Sequence, residues 1–172
     1  LPDIVPWVRS DDPYLVNWDI SAGRIRFQTM FANIGDGLLQ IRTLPAGSST
    51  PTLPLWQRVF KGVDNGPLYQ DYLMGSTLNF HHDHGHIHFD NFSEFQLLQA
   101  NISPTGVVTV GALAAGVVKS SYAIRDSAPI PDPLYAGKPS HPSTAMAVFQ
   151  NISVGHGDVY SHGVSGQSIS LA

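Results

Sequence analysis

The stretch Arg24-Ile25-Arg26-Phe27-Gln28 decides the fold class, because polar and apolar residues alternate along it one for one. A period of two puts Ile25 and Phe27 on one face and Arg24, Arg26 and Gln28 on the other, the pattern of a strand half-buried against a core. Working outward, Asn33-Ile34-Gly35-Asp36-Gly37 supplies turn chemistry ahead of the apolar run Leu38-Leu39-Gln40-Ile41. Residues 55–60 read as a further strand, and Asp64-Asn65-Gly66-Pro67 reads as a tight turn with a positive φ at Asn-Gly. More strands are expected over residues 92–98, 107–110, 117–124, 145–152 and 168–171. Residues 45–54 form a Gly/Ser/Pro-rich loop, and residues 127–143, with five prolines, form a long one. No segment keeps a helical period over three turns. Short strands without helices predict a single all-β domain over residues 1–172, an antiparallel β-sandwich or barrel-like core with long loops.

The composition agrees. A chain of 172 residues with 42% hydrophobic and 13% charged residues is a folded globular domain, and its charge fraction is well below the ~25% of average proteins. The formal charge of −4 and the lack of any basic run argue against a nucleic-acid partner. No apolar run reaches the ~18 residues of a membrane helix. With no cysteine at all, the fold cannot rest on disulfides, and any metal site must draw on His and carboxylates.

Five of the eight histidines fall between positions 81 and 88: His81, His82, His84, His86 and His88. On a strand His84, His86 and His88 share one face while Ile87 and Phe89 take the other, giving a nitrogen-rich site suited to Cu, Zn, Ni or Fe. Residues i and i+4 of a straight strand stand roughly 13 Å apart, and each His reaches a metal over about 6–7 Å, so the three converge only if the strand bends. Gly85 is the place for such a bend; otherwise His81 or His82 replaces one of the three. The tract is internal, alternating and framed by Phe80, Phe89, Phe92 and Phe95, unlike a tag.

These residues resemble a known family. His81-His82-Asp83-His84-Gly85-His86-Ile87-His88, followed by Phe92-Ser93-Glu94-Phe95-Gln96-Leu97-Leu98, is similar to the copper-binding segment of lysyl oxidases. Leu1-Pro2-Asp3-Ile4-Val5-Pro6 is similar to the start of that family's catalytic domain, and residues 26–37 resemble its first core strand and turn, as in bacterial members. Ile152-Ser153-Val154-Gly155-His156-Gly157-Asp158-Val159-Tyr160, with Gly166-Gln167-Ser168-Ile169 behind it, resembles its Asp-x-Tyr segment and the strand after it. The resemblance spans residues 1–171. It implies copper held by His84, His86 and His88, and a lysine tyrosylquinone made from Lys119 and Tyr160. Lys119 stands where the family's lysine stands, ahead of Ser120-Ser121-Tyr122, and is one of three lysines in the chain.

The activity implied is oxidation of a primary amine, free or on a lysine-containing protein, to an aldehyde at the expense of O2. The quinone serves as electrophile and electron sink. A base must remove a proton beside the amine nitrogen, and Asp158, Asp83 and Asp90 are the candidates. The family is secreted or held at the cell surface, and the same location is expected here. The chain departs from the family at His156 and Ser168, where tryptophan is common, and at Ala172, after which family domains run on through one or more strands. The resemblance thus implies a missing C-terminal strand, or a neighbouring subunit that completes the sheet. The alternative expectation is a non-catalytic secreted structural domain that keeps the fold and a His metal site. A metal hydrolase is a weaker third, since no H-E-x-x-H motif is present.

Overall fold

The structure is a computed structural model and describes residues 1–7, 18–21, 23–43, 52–81, 85–89, 91–119, 122–144 and 148–171; for residues 18–21, 52, 81 and 117–119 it describes the backbone alone. The strands in chain order are β1 (Ile4–Pro6), β2 (Trp18–Ser21), β3 (Arg24–Phe27), β4 (Thr29–Asn33), β5 (Leu39–Arg42), β6 (Thr52–Phe60), β7 (Tyr69–His81), β8 (His86–Phe89), β9 (Ser93–Ile102), β10 (Val108–Lys119), β11 (Ala128–Pro129), β12 (Phe149–Ile152), β13 (His156–Tyr160) and β14 (Ser168–Ser170). A single 3-10 turn, Pro133–Tyr135, interrupts them among the described residues. The fold is all-β, as the alternation at residues 24–28 predicts, and its sheets nearly close on one another like a barrel.

The strands form sheets in the orders β1-β4-β13-β11, β12-β5-β6-β7-β8, β14-β3-β2 and β10-β9, and every pairing is antiparallel. β4 is the pivot. Phe31 joins the main core with Leu55, Leu78, Ile87, Tyr122, Ile124 and Ile152, while Met30 and Ala32 face a second, smaller cluster around Ile130. A strand buried on both faces needs apolar residues at consecutive positions, which is why Met30-Phe31-Ala32 breaks the alternation seen in β3.

The fully buried Asn33 ends β4 and uses both ends of its amide. Its Nδ2 donates to the carbonyls of Gly37 (2.8 Å) and Ile152 (2.9 Å), and its Oδ1 accepts from the amides of Asp3 and Gly35, both at 3.1 Å. The side chain therefore ties the amino terminus, the 34–37 turn and β12 together with no donor or acceptor wasted. The turn itself requires glycine at Gly35, where a Cβ would run into backbone atoms of Leu1, Pro2 and Asp3, with the Pro2 carbonyl carbon at 2.8 Å. We expect Gly35→Ala to push β1 off β4 and to destabilise the domain by about 1–3 kcal/mol. That loss lowers Tm by roughly 3–10 °C in a thermal melt, and an unchanged melt would show that β1 is not seated as described.

Several boundaries differ from the sequence reading. The loop expected over residues 45–54 gives way to β6 from Thr52 onward, and residues 44–51 lie outside the described ones. β7, thirteen residues long, was not expected, because Tyr69-Gln70-Asp71-Tyr72-Leu73-Met74 carries no clean period and sits on a face open to solvent. The strand expected over 117–124 is instead the end of β10 at Lys119, followed by an isolated bridge between Tyr122 and Phe89. No helix among the described residues is long and apolar enough to cross a membrane.

Candidate active site

The described part of the His tract lies on two antiparallel strands, not on one straight strand. β7 ends at His81 and β8 begins at His86, the two are paired in register, and Gly85 sits in the turn with φ +67°. His84, with His82, Asp83 and Asp90, lies outside the described residues. Beyond the turn the alternation holds. Ile87 is fully buried, while the His86 and His88 rings lie together on the other face, tilted by 33° with centroids 4.7 Å apart.

Their Nε2 atoms are 2.8 Å apart. Two nitrogens each about 2.0–2.1 Å from one ion and 90° apart would stand about 2.9 Å from each other, so the pair fits adjacent positions of a square-planar site. The same spacing serves a hydrogen bond between one ring as donor and the other as acceptor. Among the described residues no group of three or more His, Asp or Glu side chains is gathered for a metal.

Tyr160 closes β13, where it pairs with Thr29 of β4. Its hydroxyl donates to the carbonyl of Ala123 (2.7 Å) and accepts from the Ala123 amide (3.1 Å). Its ring meets that of Tyr122 edge-on, with centroids 4.5 Å apart. Burial, reinforced by the Asp158 charge, pushes the phenol far above its ordinary value of 10, so it is neutral throughout the working pH range.

Asp158 precedes Tyr160 by two positions on β13 and so shares its face. Only 3% of it is exposed, and its Oδ1 accepts from Ser127 Oγ at 2.5 Å. The carboxyl is also within hydrogen-bonding reach of the Tyr160 hydroxyl. Burial lifts it from 3.8 to about 7, against the opposing pull of the Ser127 and Arg125 hydrogen bonds. A buried carboxyl that titrates near neutrality can take and return a proton at working pH.

These groups share one cavity of about 350 Å³, lined by His86, Asp158 and Tyr160 together with Ala123, Arg125 and Val164. Lys119 ends β10, its backbone in register with Ser93, and its side chain is outside the described ones. Ser93 Oγ in turn donates to the Tyr122 hydroxyl (3.2 Å), which also accepts from Gln167 Nε2 (3.3 Å). Tyr122 thus stands between the end of β10 and Tyr160. Its position in the Lys119-Ser120-Ser121-Tyr122 run was visible, but nothing in the sequence gave it a role.

Gln150 was missed as well. Fully buried, it accepts from the Ile124 amide through Oε1 (2.7 Å) and donates to the carbonyl of Ile87 through Nε2, fastening β8 to the segment that holds Tyr160. The His156 Nδ1 stands 3.2 Å from the Val154 carbonyl. No family model, no curated protein and no solved structure matches the chain.

Proposed function

We propose that this domain is a copper-dependent amine oxidase of the lysyl oxidase type, secreted or at the cell surface, with Lys119 and Tyr160 as the precursors of a lysine tyrosylquinone. The reaction would be a primary amine plus O2 and water giving an aldehyde, ammonia and hydrogen peroxide. The observation that carries the reading is the single cavity onto which His86, Asp158 and Tyr160 all open, with His88 against His86. An imidazole pair, a titrating carboxyl and a buried phenol are the donor set that this chemistry needs.

His86 and His88 would hold the copper, with His84 as the third ligand implied by the resemblance. The metal would supply one-electron and O2 chemistry, and the quinone an electrophilic carbonyl. The protein's own groups do the rest. Asp158 is the base for the substrate's α-proton. Tyr122 and Ala123 fix the plane and position of the Tyr160 ring. The low polarity that raises the Asp158 carboxyl also keeps bulk water from its face of the cavity.

One observation favours the non-catalytic reading, in which the fold and a metal are kept without oxidation. The Tyr160 hydroxyl is held by both backbone atoms of Ala123, as a structural tyrosine would be. Intact mass and peptide mapping of protein loaded with copper under oxygen separate the two. The oxidase reading expects a covalent peptide pair joining Lys119 to Tyr160, absent from the metal-free protein. Two unmodified peptides from copper-bound, oxygenated protein would favour the structural domain.

A further inference from the structure

The β9–β10 hairpin changes sides halfway along its length. At its base the inward positions Phe95 and Leu97 pack towards the core and a neighbouring apolar cleft, while Glu94 and Gln96 point out. Beyond Leu97 the pattern inverts. Leu98, Ala100 and Ile102 take the outward face, and register places Leu113, Val110 and Val108 directly opposite them on β10. The other face becomes polar, with Gln99, Asn101 and Thr109, and Gly111 tucked beneath Asn101. An extra residue between Val110 and Leu113 keeps the two apolar rows aligned despite the change of phase.

The outcome is an apolar face that nothing among the described residues covers: Val110 is 76% exposed, Ile102 69% and Leu98 40%. Together with Val108 and Leu113 these residues present on the order of 500 Å² of apolar area, at the top of what a typical monomer leaves open. A two-stranded ribbon with one bare apolar face is also marginal alone in water.

We propose that this face is the dimer interface of the protein, covered by the same ribbon of a second copy. Residues 95–118 contain no charged residue and no His, so two copies can stack face to face with no charge to leave unpaired. The rows run large, small, large: Leu98–Leu113, then Ala100–Val110, then Ile102–Val108. A two-fold axis through the central row sets the Leu98 row of one copy over the Ile102 row of its partner, which is self-complementary packing of two sheets. The area comes to most of the ~800 Å² per partner of a standard interface. A lipid surface suits the ribbon poorly, since residues 96–118 hold no Trp, Tyr, Lys or Arg to anchor it at the headgroups. The interface is independent of the proposed chemistry.

Sedimentation velocity of the full chain at micromolar concentrations tests this. The expected result is a dimer that Val110→Asp converts to monomer, weakening association at least a hundredfold, while Thr109→Asp on the polar face leaves it intact. Far-UV circular dichroism confirms that each variant is folded. Since the protein has no cysteine, Val110→Cys gives a second readout: mild oxidation should link two chains near the two-fold axis, and Thr109→Cys should not link them. A monomeric wild type, equal effects of the two Asp variants, or flotation of the wild type with phosphatidylcholine vesicles would overturn the proposal.

Discussion

If the domain is the proposed amine oxidase, Asp158→Asn should lower the turnover of a primary amine by roughly 10²–10⁴-fold, the range that a positioned general base contributes, and at the same time remove a pH dependence from the fold itself. The first effect follows if Asp158 takes the substrate proton. Asn keeps the shape of the side chain and can still accept from Ser127 Oγ, but it cannot bind a proton. In the wild type, activity should rise as pH climbs through about 7, where the carboxyl ionises, and then level off. The variant should show residual activity without that rise. Steady-state oxygen consumption across pH 5–9 reads both, and a variant with wild-type turnover would move the role of base to another residue.

The second effect has a definite sign. The folded-state value, about 7, lies above the ordinary 3.8, so between these limits the folded protein binds more protons than the unfolded chain. Stability therefore falls as pH rises from about 4 to about 7 and is level above that, by on the order of 4 kcal/mol in total. Asp158→Asn abolishes this component. In metal-free protein, denaturant melts at pH 5 and pH 8 should differ more for the wild type than for the variant. The variant loses chemistry and gains stability at pH 8, the exchange expected where burial serves a reaction and not the fold.

What the sequence disclosed here followed the reach of each signal. Period-two alternation is local, so β3 and the general β character were legible from Arg24 to Gln28. β7 was not, because Tyr69, Tyr72, Leu73 and Met74 are all exposed, and hydrophobic side chains exposed on both faces of a strand erase the alternation. In the His tract the face shared by His86 and His88 could be read from spacing and a bend at Gly85 from the glycine, whereas the pairing of His81 with His86 is a relation between strands. The Asp158-x-Tyr160 pair was legible as neighbours on one strand face. Its environment was not: Ser127, Ala123 and Tyr122 reach it from more than thirty positions away. Long-range polar contacts leave no period in a sequence.

Gln150 shows what such a contact is worth. Its side chain bridges two backbone groups that lie on separate segments, the Ile87 carbonyl on β8 and the Ile124 amide, inside the main core. β8 has only four residues and, among the described residues, pairs with a strand, β7, on one side alone. On its other side it is held by this amide and by the Phe89–Tyr122 backbone bridge. Gln150→Met fills nearly the same volume and removes both hydrogen bonds. Each buried backbone group deprived of its partner costs about 1–3 kcal/mol, so the expected loss is about 2–5 kcal/mol, or roughly 5–15 °C in Tm at this size. The loss does not stop at stability. His86 and His88 flank Ile87, and their Nε2–Nε2 spacing of 2.8 Å depends on where that strand sits. Calorimetric titration with Cu(II) should therefore show binding weakened roughly 10–100-fold, the scale at which supporting contacts tune a metal site. A variant that melts early yet binds copper as tightly as the wild type would show that the imidazole pair is positioned by β7 alone. A variant weakened in both would place the buried amide of Gln150 among the groups that build the site, although it touches neither the metal nor the substrate.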